Sequence, residues 1–198
     1  MFFFISNAKP LEQLSPIRPH PSIFNLYFFG SLIGQFAAQL AFLIFMYRAA
    51  LGAMPEEEAQ DSESDFKPNL VNSVCYLVEQ TVQLSTFAVN YVGHPFNESL
   101  RENRGMRMSL TYAGGFLLLL VLEVVPQLNE SFGLVPIPSE LRANFIAGAV
   151  CTVLFCNGWE RMLRNLVPAR TPPARVFITH KAELQRARAA AGAAKKRE

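Results

Sequence analysis

The sequence lacks the motifs that mark a self-contained enzyme. It has no glycine-rich phosphate loop, no G-x-S-x-G and no H-E-x-x-H motif, so it gives no sign of nucleotide binding or of serine or zinc hydrolase chemistry. It has only 3 cysteines and 3 histidines, and no C-x-x-C pair. From these absences we assign no catalytic residue, no bound cofactor, no disulfide and no metal ligand.

Charged side chains are absent from residues 23–47, which are almost entirely apolar. A hydrocarbon core about 30 Å thick needs roughly 20 apolar residues to be crossed by a helix. Three further stretches have a similar character, at residues 70–91, 108–125 and 143–163. The sequence therefore predicts an all-α, polytopic membrane bundle of four transmembrane helices.

The first residues, Met1–Ser6, are apolar but have no basic region before them and no small-residue cleavage site. They differ in this from a signal peptide and look like the end of a preceding helix. Four prolines follow between residues 9 and 21, which predicts an extended strap. We expect three parts in a piece of a longer protein: helix stub and strap (1–22), four-helix domain (23–163) and basic tail (164–198).

Charge placement around the four stretches predicts their orientation, because lysine and arginine collect on the cytosolic side. The connection at residues 48–69 holds six acidic residues against two basic ones, and residues 126–140 contain glutamates without a basic residue. The connection at 92–107 and the tail after 160 are rich in arginine. We expect the first two on the lumenal side, and the last two, with the carboxy terminus, in the cytosol.

A polar stripe follows one face of the second predicted span, since its members are spaced by seven, four and seven residues and fall within about 40° of one another. Its members are Asn72, Glu79, Gln83 and Asn90, with Gln35 and Gln39 of the first span as natural partners. The stripe could line a substrate or ion pathway, or it could serve as hydrogen-bonding glue between helices. The second interpretation is the commoner one for such residues.

The basic tail predicts contact with membrane lipid and not with nucleic acid, because it has no interleaved aromatic residues and lies beside a bilayer. It ends in Lys195-Lys196-Arg197-Glu198, which is similar to the dilysine K-K-x-x retrieval signal of endoplasmic-reticulum membrane proteins. We therefore take Lys195 and Lys196 as a candidate retrieval signal, with a merely basic tail as the alternative.

Four segments, taken in order, resemble the type V, subgroup A P-type ATPases. They are residues 6–27 with their prolines, 70–73, the run 86–103 (T-F-A-V-N-Y-V-G-H-P-F-N-E-S-L-R-E-N) and 132–138 (F-G-L-V-P-I-P). The resemblance covers about residues 2–166. The resemblance implies that this chain corresponds to the end of the sixth helix and to helices seven to ten of an endoplasmic-reticulum pump. It also implies that the complete pump uses ATP and Mg²⁺ to extract transmembrane segments from the membrane. This activity was earlier discussed as cation or manganese transport.

The catalytic parts of that family are missing from this chain. The family's phosphorylated aspartate lies in D-K-T-G-T, whereas the only aspartates here are Asp61 and Asp65 in the acidic connection. The T-G-E-S motif and the proline-broken fourth helix are absent as well. No catalytic residue can be carried over, and the resemblance implies that the amino-terminal part of the same ATPase is the partner of this chain.

Three hypotheses follow. The leading one is a carboxy-terminal membrane-support module of such a pump. The competing one is an independent four-span protein that binds lipid or partner helices and has no ATPase activity. A third, a small ion carrier that uses Glu79, is the weakest, because one carboxylate is a poor ion site.

Overall fold

The computed structural model describes residues 1–9, 24–54, 68–94 and 96–167, together with the isolated Arg186. These residues are helical and include no strand, which confirms the predicted all-α class. The helices are α1 (Phe2–Ser6), α2 (Leu26–Ala53), α3 (Leu70–Asn90), α4 (Arg104–Val121), α5 (Pro126–Ser131) and α6 (Ser139–Leu166). Most of the proline strap, the acidic connection and nearly all of the basic tail lie outside the described residues.

Asparagine side chains begin three of the long helices. Asn25, Asn69 and Asn103 each accept a hydrogen bond from the backbone N–H three residues later, at 2.8, 2.8 and 2.9 Å. Each bond satisfies a donor that the first turn of a helix leaves without a partner. These caps fix the starts of α2, α3 and α4.

Among the described residues, two helices are long and apolar enough to cross a membrane, α2 and α6, each of 28 residues. Many of their apolar side chains are exposed: on α2, Ile33 and Phe36 are 62% and 61% exposed. Exposed apolar surface of this extent is typical of a helix that meets lipid or another protein. The helices α3 and α4 are also about 30 Å long, but they carry polar and basic side chains, so a crossing by all four stays a prediction.

The apolar core lies at one end of the bundle. Phe42 and Met46 of α2 pack there with Val74 and Leu77 of α3 and with Phe145 of α6. At this end the segment between α5 and α6 is held by the Val135 N–H, which donates to Ser73 Oγ at 2.9 Å. The buried Asn129 also donates to the Leu120 carbonyl at 2.9 Å.

An ion pair closes the same end of the bundle. Glu123, between α4 and α5, lies 2.8 Å from Arg142 of α6 and also accepts a hydrogen bond from the Ile137 N–H at 2.5 Å. Both charged side chains are mostly buried, at 20% and 25% exposure. The pair ties the loop after α4 to the start of α6.

Small residues allow α2 and α6 to approach closely along their length. A Cβ atom built at Gly34 would lie 2.0 Å from Trp159 Nε1, and one at Gly148 would lie 2.6 Å from the Phe42 ring. Trp159 Nε1 donates to the Gly30 carbonyl at 2.9 Å in the same contact. The α2–α6 pair therefore positions the opposite end of the bundle, where the polar residues gather.

Candidate functional site

A buried carboxylate is the centre of a polar cluster at the end of the bundle opposite the apolar core. Glu160 of α6 is only 4% exposed. Its oxygens accept hydrogen bonds from the Tyr27 hydroxyl and, at 2.7 Å, from the Ser31 hydroxyl, both on α2. Arg164, one turn further along α6, forms an ion pair with it at 3.3 Å. Burial of a charge is tolerated here because the carboxylate is paired and accepts several donors.

Two amides extend the cluster to α3. Gln35 Nε2 donates to Asn90 Oδ1 at 2.9 Å, and Asn90 Nδ2 donates back to Gln35 Oε1 at 3.0 Å. Gln35 Nε2 also lies 2.9 Å from Ser31 Oγ and 3.4 Å from Glu160 Oε2. One turn further along α2, Gln39 Nε2 donates to Thr86 Oγ1 at 3.1 Å. Hydrogen bonds therefore connect α2, α3 and α6 in one network.

An open cleft of about 460 Å³ lies beside this network. Its polar side holds Ser31, Gln35, Asn90 and Glu160, and apolar side chains such as Phe36 form the rest. The Ser31 hydroxyl already donates to the Glu160 carboxylate, and Arg164 pairs with the same carboxylate. Since the donors already occupy the carboxylate, its direct effect is to hold three helices at fixed positions.

The sequence pattern behind the cluster is a four-residue repeat on α2. Tyr27, Ser31, Gln35 and Gln39 follow one another at intervals of four and therefore share one helix face. Of this repeat, the sequence analysis singled out only Gln35 and Gln39. The sequence analysis missed Glu160 because the fourth span was expected to end near it, and charged residues are common at the ends of membrane spans. Its i,i+4 spacing from Arg164 was the available signal.

The six residues singled out as a polar lining divide into two groups. Gln35, Gln39 and Asn90 come together in the network described above. Asn72, Glu79 and Gln83 lie on the exposed side of α3, and within the described residues their side chains make no hydrogen bond or ion pair. Lys195 and Lys196 lie outside the described residues.

The loop after α3 forms a second set of polar contacts. Asn103 Nδ2 donates to the Tyr91 hydroxyl at 3.0 Å and to the Phe4 carbonyl at 3.1 Å. Glu102 accepts a hydrogen bond from the Ser99 N–H at 2.7 Å and lies 2.9 Å from His94 Nε2. The Ser99 N–H is the main reason why the pKa of the Glu102 carboxyl is held below its ordinary value, with smaller contributions from the Ser99 side chain and His94. This loop therefore anchors the end of α1 against α4.

Comparison with known proteins gives close relatives. The chain is 46% identical over 169 residues to the probable manganese-transporting ATPase PDR2 of Arabidopsis thaliana, which covers 85% of the chain and 14% of that protein. It is 40% identical to the endoplasmic reticulum transmembrane helix translocase spfA of Aspergillus fumigatus, over 83% of the chain and 13% of the relative. It is also 40% identical to the endoplasmic reticulum transmembrane helix translocase of Saccharomyces cerevisiae, over 71% of the chain and 12% of the relative.

The chain belongs to the type V P-type ATPase family. It matches the carboxy-terminal part of its relatives and spans about one seventh of their length, since it covers 12–14% of each of the three. No family model matches the chain. The resemblance found in the sequence is thereby confirmed. In this P-type ATPase segment, the Glu160 network joins α2 and α6, the two described helices that are long and apolar enough to cross a membrane.

Proposed function

We propose that this chain is the carboxy-terminal membrane-support module of an ATP-driven pump of the endoplasmic reticulum. The observation that carries the proposal is 40–46% identity to ATPases and translocases of which the chain represents only about one seventh. In this proposal α2, α3, α4 and α6 all cross the membrane. The Glu160 network then lies towards the cytosolic side with the carboxy terminus, and α5 lies on the lumenal side.

The geometry supports a role in holding helices and not in chemistry. The Glu160 carboxylate is occupied by donors of α2 and by Arg164, and Gln35 pairs with Asn90 of α3. Such bonds between helices in a membrane fix their relative positions. The module would keep the bundle rigid while the remainder of the pump changes conformation.

ATP and Mg²⁺ would be bound by the part of the pump that this chain does not contain. Neither Asp61 nor Asp65 belongs to a D-K-T-G-T motif, and no phosphate-binding loop occurs in the sequence. No residue of this chain is therefore assigned to either group. The residues present do not fit a nucleotide site, and we derive no catalytic step from them.

The names of the relatives suggest the class of substrate for the complete pump. Those of Aspergillus fumigatus and Saccharomyces cerevisiae are called transmembrane helix translocases, whereas that of Arabidopsis thaliana is called a probable manganese transporter. We propose transmembrane segments as the substrate of the complete pump, and surrounding lipid as the other partner of the module. The endoplasmic reticulum is the proposed location.

The first test is the coding sequence upstream of Met1. The proposal expects a D-K-T-G-T motif in the same reading frame, and a promoter with a stop codon directly upstream would contradict it. The second test removes residues 1–198 from the complete ATPase and then supplies them as a separate polypeptide. If pump activity is lost on removal and returns when the two parts are co-expressed, the result favours the membrane-support module. A stable, monodisperse four-helix protein that restores nothing supports the independent membrane protein.

A further inference from the structure

Three arginines are exposed around the start of α4, at the same end of the bundle as the Glu160 network. They are Arg101 in the loop after α3 and Arg104 and Arg107 on α4. None of them forms an ion pair within the described residues, and the first turn of α4 contains no acidic residue. Arg107 Nη1 donates to the Arg101 carbonyl at 2.5 Å, which holds these two residues together. The patch therefore carries positive charge that no described ion pair neutralises.

The acidic residues that lie nearest to this patch in the sequence have other partners. Glu98 accepts a hydrogen bond from the Lys9 N–H at 3.2 Å. Glu102 accepts one from the Ser99 N–H at 2.7 Å and lies 2.9 Å from His94 Nε2. Both carboxylates are thus engaged in contacts of the loop itself, which leaves the arginines to an anion that the described chain does not supply.

The exposed face of α4 that follows Arg104 carries no charge. Arg104, Thr111 and Gly115 are spaced by seven and four residues and therefore share one face of the helix. Met108 lies beside this line and is 37% exposed, and a Cβ atom built at Gly115 would meet nothing within 4 Å. The rise from Arg104 to Gly115 is about 17 Å, close to half of a hydrocarbon core of about 30 Å. One face of α4 thus presents cations and then an open, uncharged strip as long as one bilayer leaflet.

We propose that this face of α4 binds one anionic phospholipid of the cytosolic leaflet. Its headgroup lies on Arg104 and Arg107, and an acyl chain lies along the strip from Met108 to Gly115. The proposal rests on the proposed function, which places the start of α4 at the cytosolic surface. A soluble anion would use only the arginines and an apolar helix only the strip, whereas a phospholipid uses both in this order. A headgroup of net negative charge is favoured over a zwitterionic one, because each arginine near the membrane surface attracts it.

Fluorescence quenching in the complete ATPase tests the proposal. The Met108→Cys variant, with the native cysteines replaced, carries a bimane fluorophore and is reconstituted into phosphatidylcholine vesicles. One sample contains phosphatidylserine with a nitroxide on its acyl chain, and the parallel sample contains phosphatidylcholine with the same nitroxide. We expect the labelled phosphatidylserine to reach half-maximal quenching at a roughly 30-fold lower mole fraction, because each of the two arginines contributes about fivefold.

Charge variants show where the preference for phosphatidylserine arises. Replacing both Arg104 and Arg107 by glutamine should abolish the preference, whereas replacing both by lysine should keep most of it. Arg48→Gln is the control, because it removes an exposed arginine near the other end of the bundle, on α2. It should leave the preference unchanged.

Equal quenching by the two lipids would overturn the proposal, as would a preference that survives the double glutamine variant or disappears in Arg48→Gln. Quenching by neither lipid would mean that a protein helix covers this face, and it would overturn the proposal as well. If the label at position 108 disturbs folding, Thr111→Cys on the same face gives the same comparison. If the upstream D-K-T-G-T motif is present and these results are negative, the lipid site fails alone; if the motif is missing, the proposed function fails.

Discussion

The Glu160 carboxylate on α6 accepts a 2.7 Å hydrogen bond from the Ser31 hydroxyl on α2, although 129 residues separate the two in the sequence. The bond joins the first and the last long helix of the bundle at the end opposite the apolar core. Because Gln35 connects Ser31 to Asn90 of α3, a change at Glu160 affects three helices at once. The stability of this end therefore depends on one buried acid.

Replacing Glu160 by leucine should open the end of the bundle, because the Tyr27, Ser31 and Gln35 donors lose their acceptor. We expect a loss of about 2–4 kcal/mol. Cys156, fully buried one turn away, is a native reporter of this opening. In a complete ATPase in which Cys75 and Cys151 are replaced by alanine, maleimide should label Cys156 roughly 30 to 1000 times faster in the Glu160→Leu variant than with Glu160 unchanged. Glu160→Gln should have a smaller effect, and Glu140→Gln, an exposed site on the same helix, should have none.

Gln35 and Asn90 should be energetically coupled. In a double-mutant cycle of Gln35→Leu and Asn90→Leu, read out by the same Cys156 labelling, we expect a coupling of about 0.6–1.7 kcal/mol, since the two amides form a reciprocal pair. The control cycle combines Gln39→Leu with Asn72→Leu, whose side chains do not meet. If the two cycles give equal coupling, the reciprocal pair has no special role.

Alanine at Gly34 should destabilise the α2–α6 contact. Its Cβ would lie 2.0 Å from Trp159 Nε1, so the indole must move and the bond to the Gly30 carbonyl is strained. We expect a loss of about 1–3 kcal/mol, measured by thermal unfolding of the complete protein in detergent. Gly52→Ala is the matched control on the same helix, because nothing lies within 4 Å of its Cβ. It should be neutral or stabilise by up to about 1 kcal/mol, and a stabilising Gly34→Ala would be evidence against the close contact.

Acid should loosen the loop that follows α3. The folded-state pKa of Glu102 is lowered chiefly by the Ser99 N–H, so its contribution to stability is complete above the unfolded pKa and is lost as the pH falls through the folded pKa. Hydrogen-exchange protection of the Ser99 amide should therefore fall over the acidic range. Glu102→Gln should remove this pH dependence, whereas Glu130→Gln, near the other end of the bundle, should preserve it. Protection that stays constant with pH in the unchanged protein would contradict the assignment.

Four long helices could be predicted from the sequence because the length of an apolar stretch can be counted directly along the chain. The extension of α2 to Ala53 and of α6 to Leu166 was not foreseen, since charged residues such as Arg48 and Arg161 continue a helix beyond its apolar part. Of the residues singled out from the sequence, Gln35 and Asn90 hydrogen-bond to each other, whereas Gln39 bonds to Thr86. The pattern could not show that Glu79, three turns before Asn90 on the same face of α3, makes no hydrogen bond within the described residues.

Contacts between distant parts of the chain could not be predicted from the sequence pattern. Neither the pairing of Glu160 with Ser31 nor that of Glu123 with Arg142 follows from helix periodicity, because each depends on how two helices are placed side by side. Glu123 was not among the residues singled out from the sequence, yet it binds Arg142 and the Ile137 N–H. Both carboxylates lie near helix ends, where sequence reasoning gives charged residues little weight.

The central claim is that the four long helices cross the membrane in alternation, with the two connecting loops on opposite sides. The most direct measurement is thiol labelling of Gln127→Cys, on the exposed side of α5, and of Arg101→Cys, in the loop after α3, in sealed endoplasmic-reticulum vesicles with the native cysteines replaced. We predict that an impermeant maleimide labels position 101 at once and position 127 only after the membrane is opened. Immediate labelling of both positions would contradict the membrane threading and the support module built on it.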